Sequence, residues 1–436
     1  MRLIAALTLS AVWMVAAEKK APKNEAALFD ASKIWTVDLK FSAEEWAAME
    51  PKGGPQMGGP GGMRGPGMMR GPGGFGPSMM VMPAFLKGDQ DGDGKLSQEE
   101  FRALGEKWFS GWDPEKTGKV TEAQVRKGLG SLMPMPGGMP GRGPGGPGGM
   151  LGPEGGRNGA SAMAGIDFKY VHASIDFNGK AFQDVAVRYK GNSTFMMSRG
   201  ALKRSLKVDL NKYVKGQKIA GVTTLNLHSN VNDASWMNEP LSYRLFRDGA
   251  VPGPRTSYAR VYLTVAGKYE KQYLGLYSLV EDVTEEAVGD AIFKPSTRNL
   301  FGYLGDDWKK YKQMYDPKTE LTAAHKQRVI DFAKLVTSGS DSEFEAQVGS
   351  YLEMDEVARY LAINVWLANM DSILAMGQNF YLSLSAKTNR FRILPWDLDL
   401  SFGGMGGGTE LSIEHPWRGE NRFLERLFAV GAFKKA

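Results

Sequence analysis

Two glycine-, proline- and methionine-rich tracts most constrain what this chain can fold into. Residues 51–81 open with "PKGGPQMGGPGGMRGPGMMRGPGGFGP", and residues 133–164 open with "MPMPGGMPGRGPGGPGGMLGPEGGRNG". Such stretches lack the apolar surface a packed core needs, so both read as flexible linkers. They set off residues 82–132 as a separate module. Strand signals flank the whole insertion. "KIWTVDLKF" (residues 33–41) alternates apolar and polar side chains, and "FKYVHASIDFNGKAFQDVAVRYKG" reads as a hairpin turning at Asn178-Gly179. The module is therefore expected to interrupt one β-rich domain, spanning 33–50 and 165–436, rather than to precede it.

The rest of that domain alternates in type. Ser42 is placed to cap a short helix over "SAEEWAAME". "KRSLKVDLNKY" (residues 203–213) is a strand with basic residues, residues 235–250 form an amphipathic helix, and residues 258–282 form another hairpin. From Thr322 to Met370 the period turns helical, with Asp355 expected to cap a helix aligning Val357, Leu361, Val365 and Ala368. The class is α+β.

The inserted module carries "DQDGDGKLSQEE". Asp89, Asp91, Asp93, Lys95 and Glu100 occupy the first, third, fifth, seventh and twelfth places of an EF-hand loop, with Gly94 at the sharp turn. Calcium wants six to eight hard oxygens. Glu100 offers two from the first turn of the exit helix, and Lys95 offers its backbone carbonyl. The alternative is an acidic turn without a metal. A second loop, "DPEKTGKVTEAQ", ends in Gln124 where the bidentate glutamate belongs, so it is expected to pair with the first and bind calcium weakly or not at all. The module reads as an all-α EF-hand pair.

Composition excludes other classes. The chain has 436 residues and 42% hydrophobic content, enough for a sizeable core. Its 54 basic and 48 acidic residues are interspersed, which leaves no nucleic-acid footprint. It contains no cysteine, so disulfides and thiolate metal sites are excluded. Residues 1–17 show a charged start, an apolar run and small residues before Glu18, the pattern of a cleaved secretory signal. The mature chain is expected to be secreted or extracytoplasmic, in a periplasm or at a cell surface, with no membrane span.

Residues 369–404, "NMDSILAMGQNFYLSLSAKTNRFRILPWDLDLSFGG", carry the chemistry. A helix precedes Asp371; then come Asn379, two strands around a tight turn, and Asp397 and Asp399. The catalytic segment of a protein kinase has this order: a carboxylate that takes the hydroxyl proton, an asparagine on the metal, and an aspartate on the metal before Phe-Gly. Here the Asp397 and Asp399 pair is followed by Phe402-Gly403. Phosphoryl transfer uses these types because cations must neutralise the triphosphate and one carboxylate must orient the nucleophile.

"VRYKGNST", "KRSLKVDLNKY", "LNLHSNVNDASWMNEPLSYRLFRDGAVPGPR", "VYLTVAGKYEKQYLGLYSLVEDV", "NMDSILAMGQNFYL" and "PWDLDLSFG" resemble the spore-coat protein H (CotH) kinase family. The resemblance implies an atypical protein-kinase-like fold with a β-rich N-lobe and a helical C-lobe. It implies a secreted Ser/Thr protein kinase using ATP with magnesium or manganese. It assigns Asp371 as catalytic and puts Asp397, Asp399 and Asn379 at the metal, Asp397 first. It makes Lys207 the phosphate-contacting lysine, with Lys190 and Lys203 as rivals. Arg188 and the Gly191-Asn192-Ser193 turn would lie over the phosphates, with Glu281 near the nucleotide or pairing with the lysine. The family pattern continues with more helix, so the C-terminal lobe is expected to be cut short. The competing expectation is a coat, cell-surface or adhesion protein with an inactive kinase-like fold and calcium-dependent tethering.

Overall fold

The computed structural model describes residues 21–51, 88–91, 96–121, 124–125, 151–283, 290–405 and 412–435. The signal-like residues 1–17, most of both tracts, and Asp93 and Lys95 lie outside the described residues.

Seven strands close a barrel. They are β1 (Ile34–Phe41), β2 (Val171–Phe177), β3 (Lys180–Tyr189), β4 (Leu206–Asp209), β5 (Thr224–His228), β6 (Thr256–Val265) and β7 (Tyr269–Val280), in the spatial order β1-β2-β3-β4-β5-β7-β6. β1 runs antiparallel to β2, with Val37 opposite Phe177, and parallel to β6, with Val37 opposite Val261. The strand before the insertion thus sits between strands that follow it. The β2–β3 turn has positive φ at Asn178 (52°) and Gly179 (93°), the pairing that matches the twist of a tight hairpin. Alternation sends Trp35, Val37, Leu39 and Phe41 inward from β1.

A second unit follows. β8 (Ala291–Phe293), β9 (Phe380–Leu384) and β10 (Phe391–Pro395) make an antiparallel sheet in the order β10-β9-β8. Helices Ala323–Ser338, Asp341–Tyr351 and Met354–Trp366 accompany it. Its core centres on Phe301, which meets Phe332 at 4.3 Å and Phe391 and Phe423 at 5.2 Å each. Buried Arg426 donates to the carbonyls of Leu335, Val336 and Gly339 at the C-terminal end of the first of these helices. The result is a mixed α+β fold in which a closed, mixed barrel packs with a mainly helical unit.

Two details differ from the sequence reading. Asp355 does not cap its helix. The N-cap is Glu353, without a side-chain cap bond, and Asp355 lies in the first turn, where a negative charge suits the helix dipole. Residues 151–164 are not a free linker. Asn158 Nδ2 donates to Gln313 O at 2.7 Å, Gln313 Nε2 returns a bond to Asn158 Oδ1 at 2.8 Å, and the helix Ala160–Met163 follows. Composition misleads there because a few hydrogen bonds, most of them to Gln313, and one buried helical turn anchor a stretch that is otherwise glycine-rich.

Among the described residues of the insertion, the helix Gln98–Trp112 is closed at its start by a capping box between Ser97 and Glu100. A paired EF-hand arrangement is not seen among them.

Candidate active site

A cavity of about 380 Å³ lies between the barrel and the helical unit. Strand register explains its barrel wall. Arg188 on β3 is opposite Lys207 on β4, which is opposite Asn226 on β5. Because side chains alternate along a strand, this row shares one face with Lys190 and His228, two residues on from Arg188 and Asn226. The intervening Tyr189, Leu206 and Leu227 enter the barrel core. All five polar residues line the cavity.

The opposite wall comes from the helical unit: Lys294 just after β8, Gln378 and Asn379 just before β9, and Trp396, Asp397 and Asp399 just after β10. Trp396 N donates to Asn379 O at 3.2 Å, tying the two loops together. Asn379 (φ 60°) and Asp397 (φ 56°) both take left-handed backbone, which Asn and Asp tolerate better than most residues. Asp397 N donates to Tyr243 Oη at 3.0 Å.

One side of the cavity concentrates acid. His228, Glu239 and Asp397 each offer a ligand atom within 4.8 Å of the others. Glu239, in the first turn of the helix Asn238–Asp248, is 1% exposed and bonds His228 Nδ1 at 2.8 Å. Lys190 Nζ lies 2.6 Å from His228 Nε2. A carboxylate can only accept, so Nδ1–H donates to Glu239, which leaves Nε2 to accept from Lys190. Buried Asp399 accepts from Asn232 Nδ2 at 3.0 Å. Burial, then the charges of Asp397, Glu239 and Asp371, push its carboxyl well above the usual range. Asp371 accepts from Gln378 Nε2 and Asn379 Nδ2, both at 2.8 Å. Burial raises it to about 6, the two amides pull it back, and Asp397 adds to the rise.

The other side concentrates base. Lys207 Nζ bonds Asp282 Oδ2 at 2.9 Å, and Lys318 Nζ bonds Asp316 Oδ2 at 2.7 Å. Lys190 and Lys294 have no carboxylate bonded to them among the described residues. Desolvation lowers Lys190 to about 7 and Lys294 to about 8, against the pull of Asp397. Arg157 and Arg188 also line this side.

The residues singled out from sequence are distributed as follows. Asp397, Asp399, Asn379, Lys207, Arg188 and the rival Lys190 all line the cavity. Asp371 sits immediately behind it, covered by the amides of Gln378 and Asn379. Glu281 does not belong to the cavity. It is buried against Arg255, whose Nε lies 2.9 Å from Oε2 and whose backbone N–H donates to the same oxygen. Alternation along the end of β7 sends Glu281 away and brings the next residue, Asp282, to Lys207. Lys203 also points elsewhere, with its ammonium over the rings of Trp236 and Tyr277. Sequence reasoning missed His228, Glu239, Asp282, Lys294 and Arg157. None has a local motif; only the fold gathers them.

The donor set fits a divalent cation. Burial first, and then the charges of Asp397, Glu239 and Asp371, disfavour the ionised form of Asp399, and a cation bound there would offset both. Glu239 and Asp397 are positioned to supply the oxygens, with His228 beside them.

A second acidic cluster lies in the insertion. Asp89, Asp91 and Glu100 bring ligand atoms within 4.8 Å of one another. Glu100 accepts from Ser97 N and Gln90 N, and these backbone bonds lower it to about 2. In the second loop Asp113 instead accepts from Thr117 N and Gly118 N, and Gln124 Oε1 from Thr121 N at 2.8 Å, a locally closed turn.

Residues 187–436 match the family model described as CotH kinase protein, more than half of the chain. The chain belongs to the CotH kinase protein family. The matched region holds both walls of the cavity apart from the stretch around Arg157, Asn158 and Gly159. The inner spore coat protein H of Bacillus subtilis (strain 168) is 23% identical over 260 residues, covering 58% of this chain and 68% of that protein.

Proposed function

We propose that this CotH-family chain is a protein kinase that transfers the γ-phosphate of ATP to Ser or Thr of secreted or coat proteins. The single observation that carries the reading is the charge layout of one cavity. Lys190, Lys294, Arg157 and Arg188, with no carboxylate bonded to them among the described residues, face a cluster of carboxylates across a space of about 380 Å³. A site with both signs, each incompletely paired, is built to receive a polyanion together with a cation. Asp397, with Asp399, Asn379 and Glu239, would hold magnesium or manganese, which would supply charge neutralisation of the phosphates.

The protein's own groups divide the remaining work. Lys207, fixed by Asp282, and Arg188, beside it in the sheet, hold phosphate oxygens. Lys190 and Lys294 donate to the same polyanion and regain the charge that burial disfavours. Asp371, ionised above about pH 6, takes the acceptor hydroxyl proton. The acceptor oxygen bonds to the γ-phosphorus as the β–γ bridging bond breaks, and ADP leaves.

Residues 1–17 act as the secretory signal in this reading, and residues 82–132 bind calcium through Asp89, Asp91, Asp93, the Lys95 carbonyl and Glu100. A coat-type structural role without transfer is favoured by one observation: both oxygens of Asp371 are covered by amides.

Phosphoamino-acid analysis separates these readings. The chain is incubated with γ-labelled ATP, magnesium or manganese, and casein. Label on Ser or Thr supports the kinase. Label only in free phosphate marks a hydrolase, and no label turns the reading to the structural role.

A further inference from the structure

Arg157 enters the cavity from the stretch that returns the chain from the insertion, outside the family-matched region. That stretch is held at both ends. Asn158 exchanges side-chain bonds with Gln313 of the helix Lys309–Tyr315. Ser161 Oγ bonds Asn192 Oδ1 at 3.0 Å, in the turn after β3. Gly159, with φ at 106°, packs so closely on Asn192 that an added Cβ would lie 2.3 Å from its amide. The segment is therefore a clip running from the helical unit to the barrel along the cavity.

The guanidinium it carries is under-used. Arg157 has five N–H donors, and its one protein acceptor among the described residues is Ser161 Oγ, at 2.5 Å. It lies over the Phe168 ring at 4.3 Å, and among the described residues no carboxylate forms a salt bridge with it, although the charges of Asp167 and Asp316 act on it. Arg188 repeats the pattern. It stands over Tyr170 at 5.1 Å, donates to Tyr189 O, and likewise has no salt bridge among the described residues. Burial and the nearby Arg188 charge lower Arg157 to about 10, so it stays charged at neutral pH. Two charged forks fixed on neighbouring rings, facing one cavity with N–H donors to spare, form a receptor for a group with several anionic oxygens.

We propose that Arg157 and Arg188 form a clamp on the polyphosphate of the nucleotide, so that the clip returning from the insertion is part of the nucleotide site. The inference rests on the nucleotide reading of this cavity. It adds a residue that the family-matched region does not contain. It also makes the residues C-terminal to the calcium module a wall of the binding site.

Calorimetry on the full chain tests it, with tripolyphosphate, ATP, adenosine and orthophosphate as separate titrants. Arg157→Gln is expected to weaken tripolyphosphate and ATP about 10-fold or more and to leave adenosine unchanged. Arg157→Lys, which keeps the charge and loses the fork, falls between. Arg188→Gln gives a similar loss, and the double variant loses less than the product of the two, because the forks share one group. Near-UV circular dichroism checks the fold of each variant. If Arg157→Gln is misfolded, Arg157→Lys with Arg188→Gln carries the comparison. Native-like Arg157 variants that bind tripolyphosphate as the wild type does overturn the clamp, as does a loss confined to orthophosphate. Failure of the kinase reading looks different. Tripolyphosphate binding that depends on Arg157, with no label on protein, leaves the clamp standing and removes the kinase. Wild-type transfer with unchanged KM in Arg157→Gln does the reverse.

Discussion

Lys207 Nζ lies 2.9 Å from Asp282 Oδ2, while Glu281, one residue earlier, pairs with Arg255 on the far side of the strand. Two adjacent acids thus have opposite jobs, one in the cavity and one in the frame. Asp282→Asn is expected to loosen Lys207 and weaken ATP binding about 10-fold with little loss of stability. Glu281→Ala strips a buried partner from Arg255, which keeps Glu25 at 2.8 Å, and is expected to cost on the order of 3 kcal/mol. Thermal melts and ATP titrations of the two variants, run together, check the division.

Lys294 places an ammonium in the cavity wall over the rings of Tyr381 and Trp396, with no side-chain hydrogen bond among the described residues. Desolvation lowers it to about 8. Lys294→Met is expected to raise the melting temperature, since it removes a desolvated charge without stranding a partner. The same change is expected to weaken triphosphate binding about 10-fold. Differential scanning calorimetry and an ATP titration read the two opposite effects, the pattern of a group kept for its ligand.

Asp371 gives a pH dependence of defined sign. Its carboxyl is raised from 3.8 to about 6, mainly by burial. Between about pH 4 and 6 the folded chain holds a proton there that the unfolded chain has released. For this group alone stability therefore falls as pH rises through that window, and the loss is complete above it. Asp371→Asn removes the slope and is expected to be the more stable protein at pH 7, by roughly 3 kcal/mol at most. It is also expected to abolish transfer. Urea melts from pH 4 to 8 with chelator present check the stability half.

The insertion is expected to bind one calcium ion per chain. Glu100 is held near a pKa of about 2, so protons do not compete for it at neutral pH. Glu100→Gln is expected to abolish the binding heat, and Asp113→Asn is expected to leave it intact, since Asp113 is already satisfied by Thr117 and Gly118. A stoichiometry of two in calorimetry would contradict this.

Elements and local motifs were the legible part of the sequence. The Asn178-Gly179 turn, the alternation of β1, the Ser42 cap and the order Asp371, Asn379, Asp397 all depend on neighbours within a few residues. What was not legible depends on long-range pairing. His228 and Glu239 meet because β5 and the helix Asn238–Asp248 pack together, and no spacing rule joins an imidazole to a carboxylate eleven residues on. Choosing between Glu281 and Asp282 required the parity of β7, a one-residue question that fixes which face a side chain takes. Arg157 was hidden for a compositional reason. It lies in a glycine-rich tract anchored by side-chain bonds to Gln313 and Asn192, and composition does not register such contacts.

The most direct test of the central claim is the initial rate of labelled γ-phosphate transfer to casein, measured on wild type, Asp371→Ala and Asp397→Ala at equal concentration of folded protein. The cavity's charge layout predicts transfer by the wild type and a loss of 100-fold or more in both variants, on the scale of removing a base or a charge-stabilising group. Equal rates in all three, or no transfer by a folded wild type that binds ATP, would contradict it.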